Sequence, residues 1–180
     1  MRCLDPRRPL FASGLVIAVA PATDAATITR QGNGKGAAPC MACHGVDGAG
    51  QAGAGNPRLA GLDAAYLQKQ LEDFASGSRS SPVMRPTTAS LDPAERRALA
   101  ACYSKLPLPS ADSVGAHFPP LAGQPVAYLA AQLEAWHHVT RDNDSLQLMQ
   151  HLSAALSAQD IRAVAAWCVA PPLPAPEIAP

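Results

Sequence analysis

Cys40, Cys43 and His44, in the run Cys40-Met41-Ala42-Cys43-His44, carry the most distinctive chemistry in this chain. Two thiols so spaced lie within about one helical turn. They can reach the two vinyl groups of one porphyrin edge and bond to them as thioethers. The histidine that follows then lies under the iron, where a ring nitrogen can ligate it. This is the spacing of covalent c-type haem attachment. A thioredoxin-like dithiol needs a strand leading into the motif, and glycine-rich sequence precedes Cys40 instead. A structural zinc site needs four ligands, and the chain has no second CxxC.

An iron held by His44 calls for a ligand on its opposite face. Methionine suits an electron carrier, because thioether sulfur favours ferrous iron and raises the potential. Met84 lies 40 residues after His44, in the stretch Ser78 to Ser90, read as irregular; Met41 is too close to the anchor to cross the ring. Glycines from Gly45 onward would let the chain pass closely around one porphyrin face. Pro57 can offer its carbonyl to the free ring nitrogen of His44, and Arg58 can meet a haem propionate. A turn proline and a solvated arginine are the competing readings of those two.

The elements that must position these groups come as a repeat. Leu59-Ala60-Gly61, Tyr66-Leu67, Gln70-Leu71-Glu72, Phe74 and Arg79 reappear 62 positions later as Leu121-Ala122-Gly123, Tyr128-Leu129, Gln132-Leu133-Glu134, Trp136 and Arg141. After a three-residue insertion, Met84 matches Met149 and Leu91 matches Leu156. The spacing predicts a helix from Asp63 to Ser76 stopped by Gly77, and a second from Asp92 to about Lys105 with a capping box. Their counterparts run from Pro125 to about His138, and from Ser157 to about Val169. The position equivalent to Cys40 is Cys102, inside the last helix of the first copy. The second copy therefore lacks CxxCH and can hold no thioether-bound haem. The segment Gln31 to Pro39, with three glycines and a proline, predicts that the helix before the motif is short or absent.

Composition agrees with helices around a cofactor. Aromatics are only 4%, and 14 Lys+Arg balance 14 Asp+Glu, so nothing points to nucleic acid. Arg2, Arg7 and Arg8 precede the apolar stretch Leu10 to Ala20, and Ala20-Pro21-Ala22 offers a cleavage site, so residues 1–22 read as a signal peptide for export to the periplasm. An uncleaved anchor is the competing reading. The remaining divisions are a haem domain over 23–107, a linker over 108–116, a degenerate haem-free repeat over 117–170 and a Pro-rich tail over 171–180. His137 and His138 fall at a helix end, where solvated polar residues are ordinary. For Cys102 and Cys168, on equivalent helices, buried thiols are favoured over a disulfide.

The segments CMACHGVDGAG, NPRLAGLDAAYLQKQLEDF, SGSRSSPVM and LDPAERRALAACYSKLP resemble class I c-type cytochromes of the cytochrome c4 / c553-like group. The specific likeness covers Gly32 to about Pro107, with a degenerate second half over about Pro119 to Ala170. It implies an all-α fold, a class I cytochrome c-like haem domain followed by a truncated cytochrome c-like repeat. It also implies one covalent haem c anchored by Cys40 and Cys43, with His44 and Met84 as axial ligands. The expected role is electron transfer in the periplasm between a dehydrogenase or respiratory complex and a terminal oxidase, with membrane association only through partners. In cytochrome c4 both tandem domains carry haem, and here one does not. An open-site haem enzyme or gas sensor, and a defective paralogue of a dihaem cytochrome, are the alternatives. A truncated repeat without its cofactor is expected to pack against the first domain through Tyr128, Leu133, Trp136 and Trp167.

Overall fold

In the computed structural model, residues 24–107 and 119–169 are described; the expected signal peptide, the 108–116 linker and the Pro-rich tail lie outside them. Among the described residues the elements are helical, and the only β pairing is two isolated bridges. No helix among them is long and apolar enough to cross a membrane.

Among the described residues the first half has five α-helices and one short 3-10 turn, Ala52–Ala54. The α-helices are α1 (Ala25–Gln31), α2 (Met41–His44), α3 (Ala64–Ser76), α4 (Met84–Ala89) and α5 (Pro93–Tyr103). Asp63 caps α3 by accepting from the amides of Ala65 and Tyr66, and Gly77 ends it in the left-handed conformation at φ 90°. At α5 the capping box is complete: Asp92 accepts from the Glu95 amide, and Glu95 accepts from the Asp92 amide. α3 lies against both α4 and α5, and α1 lies against α5. Ile28, Leu62, Leu67, Leu91, Leu99 and Tyr103 form the buried cluster between them.

The helix before the motif is present and short: α1, seven residues ending at Gln31, buries Ile28 against α5. The glycine-rich stretch after it is a loop held by side chains. Asn33 donates to Ser90 O at 2.7 Å and Glu95 Oε2 at 3.2 Å, and its own carbonyl accepts from the amides of Lys35 and Ala37. One expectation needs correction: Ser78 to Ser90 is not wholly irregular, because α4 begins at Met84 itself.

The second half contains α6 (Val126–His137), α7 (Leu148–Ala154) and α8 (Ala158–Val169), with α6 against α7 and α8. These are the counterparts of α3, α4 and α5, and Met149 sits in the first turn of α7 as Met84 does in α4. Ser157 and Asp160 cap α8 reciprocally. Cys168 holds a free thiol and so is not bonded to Cys102, which is buried on α5.

The halves meet through polar groups more than through the expected aromatics. Trp167 is 71% exposed and does not join the halves, and Trp136 stacks on Arg141 of its own half. Tyr128 does reach across, accepting from Arg79 at 3.0 Å. The reason is geometric: Arg79 and Arg141, which follow α3 and α6 in the chain, pair in an isolated antiparallel bridge. Side chains at that meeting point are Gln, Arg and Tyr rather than the helices' apolar faces.

The caps give the fold a definite acid response. Hydrogen bonds to their carboxylates, from the Glu95 amide for Asp92 and chiefly from the Ser157 hydroxyl for Asp160, hold both below the ordinary value of 3.8. A carboxylate whose pKa is lower in the folded state contributes stability above its unfolded pKa. That contribution is lost as pH falls through the folded value. The cap contribution should therefore hold from neutral pH down to about 5 and fall away below 3.8, apart from the earlier loss that burying His44 neutral brings below 6.5. Asp92→Asn, which keeps the cap but cannot titrate, should make the drop shallower. An unchanged pH profile for that variant would refute the assignment.

Candidate functional site

Cys40 caps the single turn α2, and the amides of Cys43 and His44 bond back to Cys40 O, which presents the motif on one short helix. Cys43 is exposed, while Cys40 is partly buried and its thiol is pushed up by that burial. The His44 ring is buried, and its Nδ1 lies 2.9 Å from Pro57 O. A carbonyl can only accept, so Nδ1 carries the proton and Nε2 keeps its lone pair. Burial pulls His44 below the ordinary imidazole range, outweighing the Pro57 bond, so the ring is neutral at neutral pH. That is the protonation state a metal ligand needs.

A closed loop delivers the Pro57 carbonyl. Gly50 stands at φ 83° and donates to His44 O at 2.9 Å. A Cβ there would lie 2.6 Å from Asn56 O and 2.7 Å from Arg58 N, both backbone, so only glycine fits. Gly48 O accepts from the amides of Leu59 and Ala60 on the same loop.

One cavity of about 430 Å³ brings the expected residues together. Cys40, Cys43, His44, Pro57, Arg58 and Met84 all line it, with Leu67, Phe74, Leu91 and Leu99 as apolar wall. Its size is that of a ligand site rather than a packing defect. Arg58 is not the solvated arginine of one of its sequence readings. It is 1% exposed, and its guanidinium donates to Ala60 O at 2.6 Å, Pro120 O at 3.2 Å and Ala122 O at 3.1 Å. Its Nε has no hydrogen-bond partner although it is buried. An unpaired guanidinium donor on a residue lining this wall, beside two thiols and a neutral imidazole, suits a group that carries carboxylates, so the residues fit a haem.

Sequence reasoning missed the wall supplied by the second half. Pro120, Leu121, Gln124, Tyr128, Leu129 and Gln132 also line the cavity. Gln124 is the clamp: its Oε1 accepts from the Arg58 amide at 2.9 Å, and its Nε2 donates to Arg58 O at 3.0 Å. The signal was available only as position, since Gln124 closely follows the Leu121-Ala122-Gly123 repeat. Of the second half's histidines, His138 is exposed and His137 bonds Ser153 O at 2.8 Å. Among the described residues no group of three or more His, Cys, Asp or Glu gathers to hold a metal.

Comparison with known proteins agrees with this geometry. The cytochrome c family model matches residues 32–101. The chain is 40% identical to the thiosulfate dehydrogenase electron acceptor of Stutzerimonas stutzeri, over 82% of this chain and 86% of that protein. It is 31% identical to cytochrome c4 of Pseudomonas aeruginosa, over 73% of this chain and 83% of that one. This chain belongs to the class I c-type cytochromes of the cytochrome c4 group. The cytochrome superposes on reduced cytochrome c4 from Pseudomonas stutzeri with TM-score 0.63 and 28% identity, covering 72% of this chain and 91% of that chain. It also superposes on the thiosulfate dehydrogenase of Marichromatium purpuratum, with TM-score 0.74 and 34% identity. That match covers 86% of this cytochrome but only 43% of the neighbour's length. As a member of the group, this cytochrome is an electron carrier that uses covalently bound haem.

Proposed function

We propose that this cytochrome carries single electrons in the periplasm on one haem, accepting them from a thiosulfate-oxidising dehydrogenase and passing them to a terminal oxidase. The observation that carries the reading is the single CxxCH on the wall of a cavity also lined by Met84. Likeness to an electron acceptor of thiosulfate dehydrogenase supports the donor. When bound, the haem supplies a one-electron Fe(III)/Fe(II) couple. Cys40 and Cys43 would anchor it, His44 would ligate it through Nε2 with Pro57 fixing the ring, and Met84 would offer a thioether sulfur as ligand. No acid, base or nucleophile is required of the chain; it holds the group and excludes water.

The test is expression with a c-type maturation system in the bacterial periplasm, then haem staining, intact mass and rapid-mixing reduction. One haem equivalent, lost with Cys43→Ser, and reduction by thiosulfate dehydrogenase only when thiosulfate is present are expected. Two haem equivalents would refute the monohaem reading. A haem protein that this dehydrogenase does not reduce would refute the donor.

A further inference from the structure

The meeting point of the two halves is built from repeat mates. Arg79 donates to Gln70 Oε1 and to Gln132 Oε1, both at 2.6 Å. Arg141 donates to Gln132 Oε1 at 2.6 Å and to Gln70 Oε1 at 3.2 Å. Each arginine thus bonds the glutamine of its own half and that of the other. The reciprocity is what an approximate two-fold relation between the halves produces. The guanidinium planes also lie over equivalent rings, Arg79 on Phe74 at 4.4 Å and Arg141 on Trp136 at 3.9 Å.

Both arginines are 5% exposed, and neither forms an ion pair. The ion pairs among the described residues are those of Lys35 with Asp92 and Glu95, and of Lys69 with Asp73. Asp73, the carboxylate beside this square, is occupied by Lys69 and by Asn143 Nδ2. Two like charges are therefore held together, away from water, with neutral acceptors between them. Burial and the neighbouring Arg79 bring Arg141 down to about 10, still charged at neutral pH. Such an arrangement is poor economy for stability alone, since apolar side chains of similar volume would serve as well. Arg79, Gln70 and Gln132 line the haem cavity.

We propose that Arg141, contributed by the haem-free half, is a positioning residue that raises the reduction potential of the haem in the first half. It acts by holding Arg79 at the cavity wall and by adding its own buried charge. This rests on the monohaem reading above. Oxidised haem carries one more positive charge than reduced haem, so fixed cations nearby in low dielectric disfavour the oxidised form. The second half thus contributes charge as well as wall, which gives a haem-free copy a role in a redox protein.

The test uses the full-length haem protein in spectroelectrochemical titration, with thermal melting and the far-red methionine–ferric band recorded for each variant. Gln132→Glu keeps the acceptor oxygen while placing a negative charge between the two arginines. It should lower the reduced-to-oxidised ratio at a fixed potential about tenfold, 59 mV for one electron, without lowering the melting temperature or losing the band. Arg141→Met should shift the ratio in the same direction, and Arg141→Lys should stay within about twofold of the parent. If Arg141→Met does not fold, Gln132→Glu decides. A ratio unchanged in Gln132→Glu, or Arg141→Lys shifting as far as Arg141→Met, would overturn the proposal. A parent protein without haem would overturn the monohaem reading instead.

Discussion

Met84→Ala should leave the haem attached but convert its iron to an open site. Attachment depends on Cys40 and Cys43 on α2, which Met84 does not touch in sequence or helix. Met84 lies at the start of α4, in a helix held against α3, so removing its side chain leaves the backbone scaffold in place. Thr88 Oγ1 donates to Met84 O at 2.8 Å, a bond that alanine keeps. The expected signs are loss of the far-red methionine–ferric band, rapid stoichiometric carbon monoxide binding to the reduced protein, and a lower midpoint potential. The fall should be on the order of 100 mV or more, within the roughly 0.8 V span that axial ligands control. Met149→Ala, the repeat mate, serves as the control and should change none of the three. A Met84→Ala protein that keeps the band and still excludes carbon monoxide would end the ligand assignment and leave the iron's sixth ligand elsewhere.

Arg58→Ala should have the largest effect on stability. The side chain is 1% exposed and donates to three carbonyls, two of them in the other half. Alanine would leave Ala60 O, Pro120 O and Ala122 O short of a donor and open a void at the wall of the haem cavity. With charge-assisted bonds each worth about 1.5–3 kcal/mol and partial rescue by water, a loss of about 3–5 kcal/mol is expected. Urea unfolding followed in the far-ultraviolet and in the haem band would read it. Arg58→Lys should recover only part, because an ammonium cannot span three carbonyls in different directions. Gln124→Ala should weaken the same joint by less, since it removes two bonds to the Arg58 backbone. If Arg58→Ala cost no more than an ordinary surface change, the joint between the halves would not depend on this residue.

Local chemistry made much of the chain legible before folding. Asp63, Gly77, Asp92 and Ser157 mark helix ends because capping is a contact between residues within a few positions. Pro57 was readable as the partner of His44 because one short loop joins them, and that loop closes at Gly50, where only glycine fits. Arg58 was legible as a residue of the site but not in its main task. Its three carbonyl partners carry no side-chain identity, so no residue pattern distinguishes a propionate partner from a carbonyl clamp. The first helix is legible only as short or absent, because glycines follow it at once and the support of its seven residues is tertiary, through Ile28 on α5. Trp167 was misassigned for a related reason: helical spacing shows that a residue shares a face, but not whether that face meets another element or solvent.

By itself the sequence determined the attachment chemistry, the number of attachment motifs and the repeat with its missing piece, since each is a matter of residue type and spacing. Only the tertiary structure decided that the copy without CxxCH closes the cavity of the other, and that Arg79, Arg141, Gln70 and Gln132 lock the copies together. Those contacts between the copies join residues 53 to 71 positions apart. Their formation depends on how two helical units dock, which is fixed by burial and hydrogen bonding across the whole interface rather than by any local pattern.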